Sequence, residues 1–350
     1  MKLDEFPAGI DRRDFLTATA AVAAAIGSAG PALAQSEISH RSLEVNGIRL
    51  HIAEQGQGPL VLLCHGWPEL WYSWRHQLPA LAAAGYHAVA PDMRGYGESS
   101  APQDVGAYTL LHLVGDMVGL VAALGERRAV IVGHDWGANV AWAAAQLRPD
   151  LFPAAVTMSV PFRRRASAPP LETLRKAGQE NFYWFYFQPP GVAEAEFERD
   201  VPTTFRRLGA GRAASLTIIP GKGFLDAFTE PERLPDWLSV DDLAVYVAAY
   251  RQTGFRGGLN WYRNIDRNWE LLAPWQDAAI RQPVLFIAGA EDGVVKAPAS
   301  AAALAQLAET VPGLKRKLLI DGAGHWIQRE RAAEVSSALL AFLHEFGGPG

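Results

Sequence analysis

The sequence is poor in cysteine and in positive charge, and it has few long hydrophobic runs. Its single cysteine, Cys64, excludes an intramolecular disulfide and a cysteine-based metal site. The formal net charge of −5 leaves no basic footprint, so the composition does not favour nucleic-acid binding. Beyond about residue 35, no apolar run approaches the ~20 residues that span a bilayer, so no stable membrane span is expected.

What is present is typical of a globular enzyme. Of the 350 residues, 49% are hydrophobic and 20% are charged, which fits one large domain or a core with an insertion. We found no internal repeat, so the chain is interpreted as a succession of different elements rather than as a repeat array.

The first residues have a pattern of their own. Arg12 and Arg13 precede an apolar, alanine-rich run, Phe15–Ile26, and Ala32-Leu33-Ala34 follows as an A-x-A cleavage site. This pattern resembles a twin-arginine export signal, and the alternative is a disordered or weakly helical extension. We therefore predict a signal peptide over residues 1–34 and an exported, periplasmic protein.

Short apolar runs alternate with helical patterns along both ends of the remaining chain. A hairpin is predicted around Asn46-Gly47, followed by short apolar runs that are predicted to be strands, of which Leu60–Cys64 is typical of a strand buried on both faces. Those runs are Leu60–Cys64, His87–Ala90, Ala129–Val132, Ala155–Val160, Pro283–Ala288 and Lys317–Ile320. The alternation predicts an α/β core over residues 35–162 and 277–350, with a mostly parallel sheet.

Residues 163–276 interrupt this alternation and are predicted to form a helical cap. The segment follows Arg163-Arg164-Arg165 and contains helical patterns rich in aromatic residues instead of short apolar strands. We predict four helices there and a long loop over Gly221–Leu238. The helices are Leu171–Phe187, Ala193–Leu208, Ser239–Thr253 and Gly258–Leu272.

The pentapeptide Gly133-His134-Asp135-Trp136-Gly137 lies between a predicted strand and a predicted helix. Strand, sharp turn and helix with G-x-Nu-x-G is the nucleophile elbow of α/β-hydrolases, and the glycines allow close backbone approach. Here the nucleophile position holds Asp135 instead of serine. A carboxylate is already ionised and can attack a saturated carbon, which gives an alkyl ester of the aspartate.

Two more residues complete a triad in the order nucleophile, acid, histidine. Asp292 follows the predicted strand Pro283–Ala288, and His325 follows Lys317–Ile320. Glu291 is a close rival to Asp292 as the acid. The histidine is predicted to activate a water molecule that hydrolyses the ester.

Hydrolysis of an ester needs donors for the developing oxyanion. The backbone N–H of Trp67, in His65-Gly66-Trp67-Pro68-Glu69, and that of Trp136 are the predicted oxyanion-hole donors. Simple loop packing is the alternative explanation for Trp67.

Several long strings carry a resemblance to one family. LCHGWPELWYSWRHQ (63–77), DMRGYGESSAP (92–102), GHDWG, GFRGGLNWYRNIDRNW (254–269) and GAGHW (322–326) closely resemble the soluble epoxide hydrolases of the α/β-hydrolase superfamily. The similarity extends from about Ser42 to Phe346. It implies an α/β-hydrolase fold with an eight-stranded sheet and the conversion of an epoxide and water to a vicinal diol. It also implies that no metal or organic cofactor is needed.

The resemblance further implies two cap tyrosines that donate a proton to the epoxide oxygen. Tyr262 and Tyr183 match these positions, and Tyr186 is a rival to Tyr183 on the same predicted helix face. The aromatic cap favours a small apolar epoxide as the substrate. The competing hypotheses are a haloalkane dehalogenase, a haloacetate dehalogenase and a non-catalytic ligand-binding protein of the same fold. Asp135 argues strongly against a serine esterase.

Overall fold

The structure, a computed structural model, describes residues 37–211 and 216–347. The predicted signal peptide, residues 1–34, lies outside the described residues. Within them, an eight-stranded sheet has the order β1-β2-β4-β3-β5-β6-β7-β8. The strands are β1 (Ser39–Val45), β2 (Ile48–Gln55), β3 (Leu60–Cys64), β4 (His87–Pro91), β5 (Val130–His134), β6 (Ala155–Met158), β7 (Val284–Gly289) and β8 (Leu314–Ile320).

Helices connect these strands and fill the segment between β6 and β7. They are α1 (Gln77–Ala83), α2 (Leu110–Ala123), α3 (Trp136–Leu147), α4 (Pro170–Lys176), α5 (Tyr183–Tyr186), α6 (Val192–Arg199), α7 (Val201–Ala210), α8 (Val240–Thr253), α9 (Arg256–Arg263), α10 (Ile265–Leu271), α11 (Gly293–Lys296), α12 (Pro298–Ala305), α13 (Leu307–Thr310), α14 (Ile327–Glu330) and α15 (Ala332–Phe346). Short 3₁₀ helices cover Trp71–Trp74, Val105–Tyr108, Leu225–Ala227 and Ala273–Trp275.

The sheet confirms the predicted mostly parallel architecture. β1 pairs antiparallel with β2 across the Asn46-Gly47 turn, and β2 pairs antiparallel with β4. The pairs from β4 through β3, β5, β6 and β7 to β8 are all parallel. Their carboxyl ends therefore lie at one edge of the sheet, where the loops that follow β5, β6, β7 and β8 are neighbours.

The central strands β3, β5, β6 and β7 are buried on both faces, and their successive side chains point to opposite sides of the sheet, whereas the edge strands β1 and β8 are largely exposed. Leu62 and Ile131 belong to one core cluster and Val61 and Val130 to another. Helices α2 and α3 contribute side chains to the first cluster, and α1 and α15 contribute to the second. This double coverage explains why these strands are continuous apolar runs.

The helices of segment 163–276 are more broken than the sequence predicted. The stretches predicted as the single helices Leu171–Phe187, Ala193–Leu208 and Gly258–Leu272 each contain two helices. The breaks lie at Gly178, whose φ is +68°, at Asp200 and at Asn264. The remaining helix, α8, begins after Ser239 with the expected capping box to Asp242.

None of the helices within the described ranges has the length and hydrophobicity of a membrane span.

Candidate active site

Asp135 lies in the sharp turn between β5 and α3. Its φ is +54°, an unusual value for a residue with a side chain, and the turn brings backbone segments into very close contact. A Cβ on Gly133 would lie 2.0 Å from the carbonyl oxygen of Gly137, and a Cβ on Gly137 would lie 2.0 Å from that of Cys64. Both positions therefore require glycine, as the elbow motif predicted.

Two backbone amides hold the Asp135 carboxylate. The N–H of Trp67 donates to Oδ1 of Asp135 over 2.8 Å, and the N–H of Trp136 is a second donor. Gly66 permits this contact, since a Cβ there would lie 2.4 Å from Oδ1. The structure thus places both predicted oxyanion-hole amides on the same carboxylate.

His325 lies between two carboxylates. Its Nε2 is 3.8 Å from Oδ2 of Asp135, and its Nδ1 is 3.1 Å from both carboxylate oxygens of Asp292. Asp292 is buried and also accepts a hydrogen bond from the N–H of Val294. Its rival Glu291 is exposed and forms an ion pair with Lys296, so Asp292 is the acid next to the histidine.

The charges of these groups are coupled. Burial alone would lower the pKa of His325, but the charge and hydrogen bond of Asp292, aided by Asp135, raise it to about 9. Burial would likewise raise the pKa of Asp292, and His325 holds it below its usual range. Burial raises the pKa of Asp135 above its usual range, opposed by His325 and the two amide donors. In the resting site an imidazolium therefore stabilises both carboxylates.

Two tyrosines from separate helices of segment 163–276 lie in contact, and the charge of Asp135 acts on both. The ring centroids of Tyr183 in α5 and Tyr262 in α9 are 5.8 Å apart, and their side chains share a hydrogen bond. Tyr262 also packs edge-on against Trp136 and Trp67. Burial and then the negative charge of Asp135 raise the pKa of Tyr183, and burial with the neighbouring phenols and Asp135 does the same for Tyr262. Both phenols are therefore protonated at neutral pH.

Tyr186 belongs to another cluster. Its hydroxyl bonds to Glu196, whose carboxylate also accepts the backbone N–H groups of Phe224 and Leu225. Burial and Glu196 raise the pKa of Tyr186, and Asp135 is not among the charges that act on it. The structure thus separates the two rival tyrosines: Tyr183 contacts Tyr262 and is affected by the charge of Asp135, whereas Tyr186 is bonded to Glu196.

Sequence reasoning missed several residues around the triad. His134 and Ser159 both donate to the backbone carbonyl of His325, over 2.8 and 3.2 Å. Behind the oxyanion loop, Glu69 and Arg329 form a buried ion pair of 3.1 Å. His134 and Glu69 lie within the motifs that contain Asp135 and Trp67. No local sequence pattern indicates a role for Ser159 or Arg329.

The described residues contain no group of three or more His, Cys, Asp or Glu side chains that could hold a metal ion.

The parallel sheet, the elbow and the His–Asp pair at its edge define an α/β-hydrolase. Residues 59–332 match the family model described as alpha/beta hydrolase fold. The chain is 48% identical over 316 residues to Epoxide hydrolase A of Mycobacterium tuberculosis, covering 87% of this chain and 97% of that protein. It belongs to the epoxide hydrolases of this superfamily.

Solved structures agree with this assignment. The crystal structure of Epoxide Hydrolase A from Mycobacterium thermoresistibile superposes with a TM-score of 0.84 at 47% identity, covering 88% of this chain and 98% of that one. A Vigna radiata epoxide hydrolase structure gives a TM-score of 0.85 at 40% identity, covering 89% and 98% of the respective chains.

Proposed function

We propose that this protein hydrolyses an epoxide to a vicinal diol through a covalent ester of Asp135. The observation that carries the proposal is the contact between two protonated phenols, the half-buried Tyr183 and the buried Tyr262, with Tyr262 packed on Trp136 directly after Asp135 and the charge of Asp135 acting on both. Membership of a family whose relatives are named epoxide hydrolases supports the same reaction.

The first half-reaction opens the epoxide. Oδ1 of Asp135 accepts the Trp67 amide, so Oδ2 is the oxygen that attacks the ring carbon. The C–O bond of the epoxide breaks, and its oxygen takes a proton from Tyr183 or Tyr262. A phenol is a weaker acid than a carboxylic acid but a much stronger one than an alcohol, so it can donate to the developing alkoxide.

The second half-reaction hydrolyses the ester. Esterification removes the negative charge of Asp135, one of the charges that raise the pKa of His325, and so favours the neutral imidazole. The neutral ring takes a proton from water, which attacks Cγ of Asp135. The resulting oxyanion forms on Oδ1, which already accepts the Trp67 amide, with the Trp136 amide as the second donor to this carboxyl group. When the carbonyl re-forms, the Cγ–Oδ2 bond breaks and Oδ2 leaves as a hydroxyl of the diol, taking the proton of the new carboxyl group, so Asp135 is again a carboxylate. The proton that His325 lost on esterification returns the tyrosinate to a phenol, and the proton taken from water restores the imidazolium.

A single turnover in ¹⁸O-labelled water tests this scheme. Water attacks the carboxyl carbon, so we expect the label in Asp135 and not in the first diol formed. Label that enters the first diol directly would show that water attacks the epoxide itself. We also expect His325→Gln to accumulate the ester and Asp135→Ala to form none, as measured by intact-protein mass.

Measurements of diol formation, halide release and ligand binding separate the competing functions. Release of halide from a haloalkane, with no diol from any epoxide, would identify a dehalogenase. Tight binding without turnover would identify a ligand-binding protein. The tyrosine pair favours the epoxide, because a halide leaving group does not need a proton.

The substrate we propose is a small apolar epoxide. Besides Trp67 and Trp136, Phe187 packs against both tyrosines, and Phe182, Trp184 and Phe224 pack against Tyr183. An aromatic wall of this kind favours apolar ligands over charged ones.

We further propose export through the twin-arginine route, supported by the sequence of residues 1–34 alone. Fractionation of a host with this pathway tests it. Replacing Arg12 and Arg13 together by lysine should retain the full-length chain in the cytoplasm, whereas cleavage and export of the doubly substituted chain would contradict the proposal.

A further inference from the structure

The helix that carries Tyr183 is too short to fix its own direction. α5 has four residues, and a helix of fewer than about 12 residues is marginal without tertiary contacts. Its position relative to α9, which carries Tyr262, therefore depends on side chains that bridge the two helices. Two side chains do so: Gln188, just after α5, and Arg263, the last residue of α9.

Gln188 donates hydrogen bonds to both helices. Its Nε2 lies 2.9 Å from the carbonyl oxygen of Trp184 in α5 and 3.1 Å from the carbonyl oxygen of Tyr262 in α9. A primary amide has two hydrogens on this nitrogen, so both bonds can form at once. One side chain thus ties the backbone at Tyr262 to the helix that carries Tyr183.

Arg263 binds the backbone directly after α5. Its Nε lies 3.1 Å from the carbonyl oxygen of Phe187 and 3.2 Å from that of Gln188. The ring of Phe187 packs against both phenols, with its centroid 5.3 Å from that of Tyr183 and 5.0 Å from that of Tyr262. The guanidinium therefore holds the backbone of the residue whose ring contacts both tyrosines.

A nearly buried carboxylate fixes the guanidinium itself. Nη2 of Arg263 lies 2.7 Å from Oε1 of Glu194 in α6, and the two side chains are only 4% and 10% exposed. Nη1 donates to Oδ1 of Asn260, which is also in α9, over 2.8 Å. Glu194 also accepts the backbone N–H of Gly191. Each nitrogen of the guanidinium thus has a partner, and the planar group has a fixed orientation.

We infer that Arg263 and Gln188 are positioning residues for epoxide opening: together they hold Tyr183 in register with Tyr262, so that both hydroxyls face one epoxide oxygen. The inference rests on the proposed function, since it concerns the first half-reaction. Proton donation requires the donor within hydrogen-bond reach, and a displacement of about 1 Å is enough to slow a reaction strongly. Ester hydrolysis depends on His325 and the oxyanion donors instead, so a displaced α5 affects it little.

Four variants test the inference: Arg263→Lys, Gln188→Met, Tyr183→Phe, and Arg263→Lys combined with Tyr183→Phe. Lysine keeps a positive charge beside Glu194 but loses the planar set of donors that reaches Phe187. Methionine keeps the length of glutamine without its two amide hydrogens.

Arg267→Lys is the matched control for Arg263→Lys. Arg267 pairs with Glu270 in α10, and both side chains are more than half exposed. The substrate is styrene oxide, or the best substrate of a small panel of apolar epoxides. Single-turnover stopped-flow tryptophan fluorescence gives the rates of ester formation and ester hydrolysis in each protein.

We expect ester formation to slow about tenfold in Arg263→Lys and in Gln188→Met, with ester hydrolysis changed less than about twofold. The double variant should form the ester less than about threefold more slowly than Tyr183→Phe alone, because a hydroxyl that is absent cannot be misplaced. Arg267→Lys should match the parent in both half-reactions.

Several results would overturn the inference. Equal slowing of both half-reactions would show general disruption of the fold. Independent, multiplying effects in the double variant would show that Arg263 does not act through Tyr183. Parent-like ester formation in both Arg263→Lys and Gln188→Met would show that these contacts do not position the tyrosines. A parent enzyme that forms no ester with any epoxide of the panel would instead refute the proposed function and, with it, the inference.

Discussion

Backbone strain in this protein is concentrated beside the reacting groups. Among the described residues, the non-glycine residues with positive φ are Asn46, Asp135 and Ser159. Asn46 is in a hairpin turn, where asparagine tolerates this conformation well. The other two carry the nucleophile and a hydroxyl that donates to the backbone carbonyl of His325. At Asp135 and Ser159 the strained backbone conformation sets the position of a side chain in the site.

Substitution of the two cap tyrosines tests the proton-donor role. We expect Tyr183→Phe and Tyr262→Phe each to slow ester formation by about 10- to 100-fold, since each removes one donor to the leaving oxygen. Ester hydrolysis should change much less, because it needs no such donor.

Tyr186→Phe is the matched control. Tyr186 lies on the same short helix as Tyr183, but its hydroxyl is bonded to Glu196. The rates of ester formation in the three variants provide the measurement. A slower reaction in Tyr186→Phe than in Tyr183→Phe would reverse the assignment of the second donor.

At the scale of elements, the site depends on how closely loops approach one another. The loop after β3 and the elbow after β5 are so close that neither Gly66 nor Gly137 has room for a Cβ. The helices of segment 163–276 are bounded by local capping and proline residues. Asp200 caps α7 through Thr203, and Pro202 stands in its first turn. The hydrophobic pattern continues across such a break, which explains why the sequence predicted one helix where two exist.

Gly66→Ala tests the close approach of these loops. The new Cβ would lie 2.4 Å from Oδ1 of Asp135 and 2.7 Å from the Trp136 nitrogen, so the oxyanion loop must move away. We expect ester hydrolysis to fall by about 100-fold or more, as for the loss of an oxyanion donor.

Gly293→Ala is the control for this substitution, because nothing lies within 4 Å of a Cβ built there. Steady-state rates and circular dichroism of both variants provide the comparison. Parent-like turnover in folded Gly66→Ala would contradict the proposed role of this contact.

At the scale of the whole molecule, folding links the charge of His325 to stability. The chain brings Asp135 and Asp292 beside His325 only when the sheet is assembled, and the folded pKa of about 9 exceeds the ordinary value of 6.5. The folded state therefore holds this proton more tightly than the unfolded state. The resulting stabilisation is complete below about pH 6.5 and is lost as pH rises through about 9.

Urea denaturation of the parent and of His325→Gln across pH tests this linkage. We expect the difference in free energy of unfolding, parent minus variant, to fall by up to about 3 kcal/mol between pH 6.5 and 9.5. Titrating groups that do not interact with His325 are common to both proteins and cancel in the difference. A difference that stays constant over this range would show that His325 has an ordinary pKa.

Local sequence patterns were sufficient to predict the strands and the candidate catalytic residues. Apolar runs marked the strands, and three candidate catalytic residues followed strand ends in hydrolase order. Those features are local: a buried strand needs apolar residues on both faces, and an elbow needs its glycines.

Tertiary packing is needed to distinguish neighbouring candidate residues and to set the contacts between distant loops. Asp292 and Glu291 are adjacent, and Tyr183 and Tyr186 are one helical turn apart, so local pattern cannot separate them. The packing that sends Asp292 inward and Glu291 to solvent also brings Ser159 to His325 across 166 residues. Strand order sets these distances, and it arises from pairing across the whole sheet.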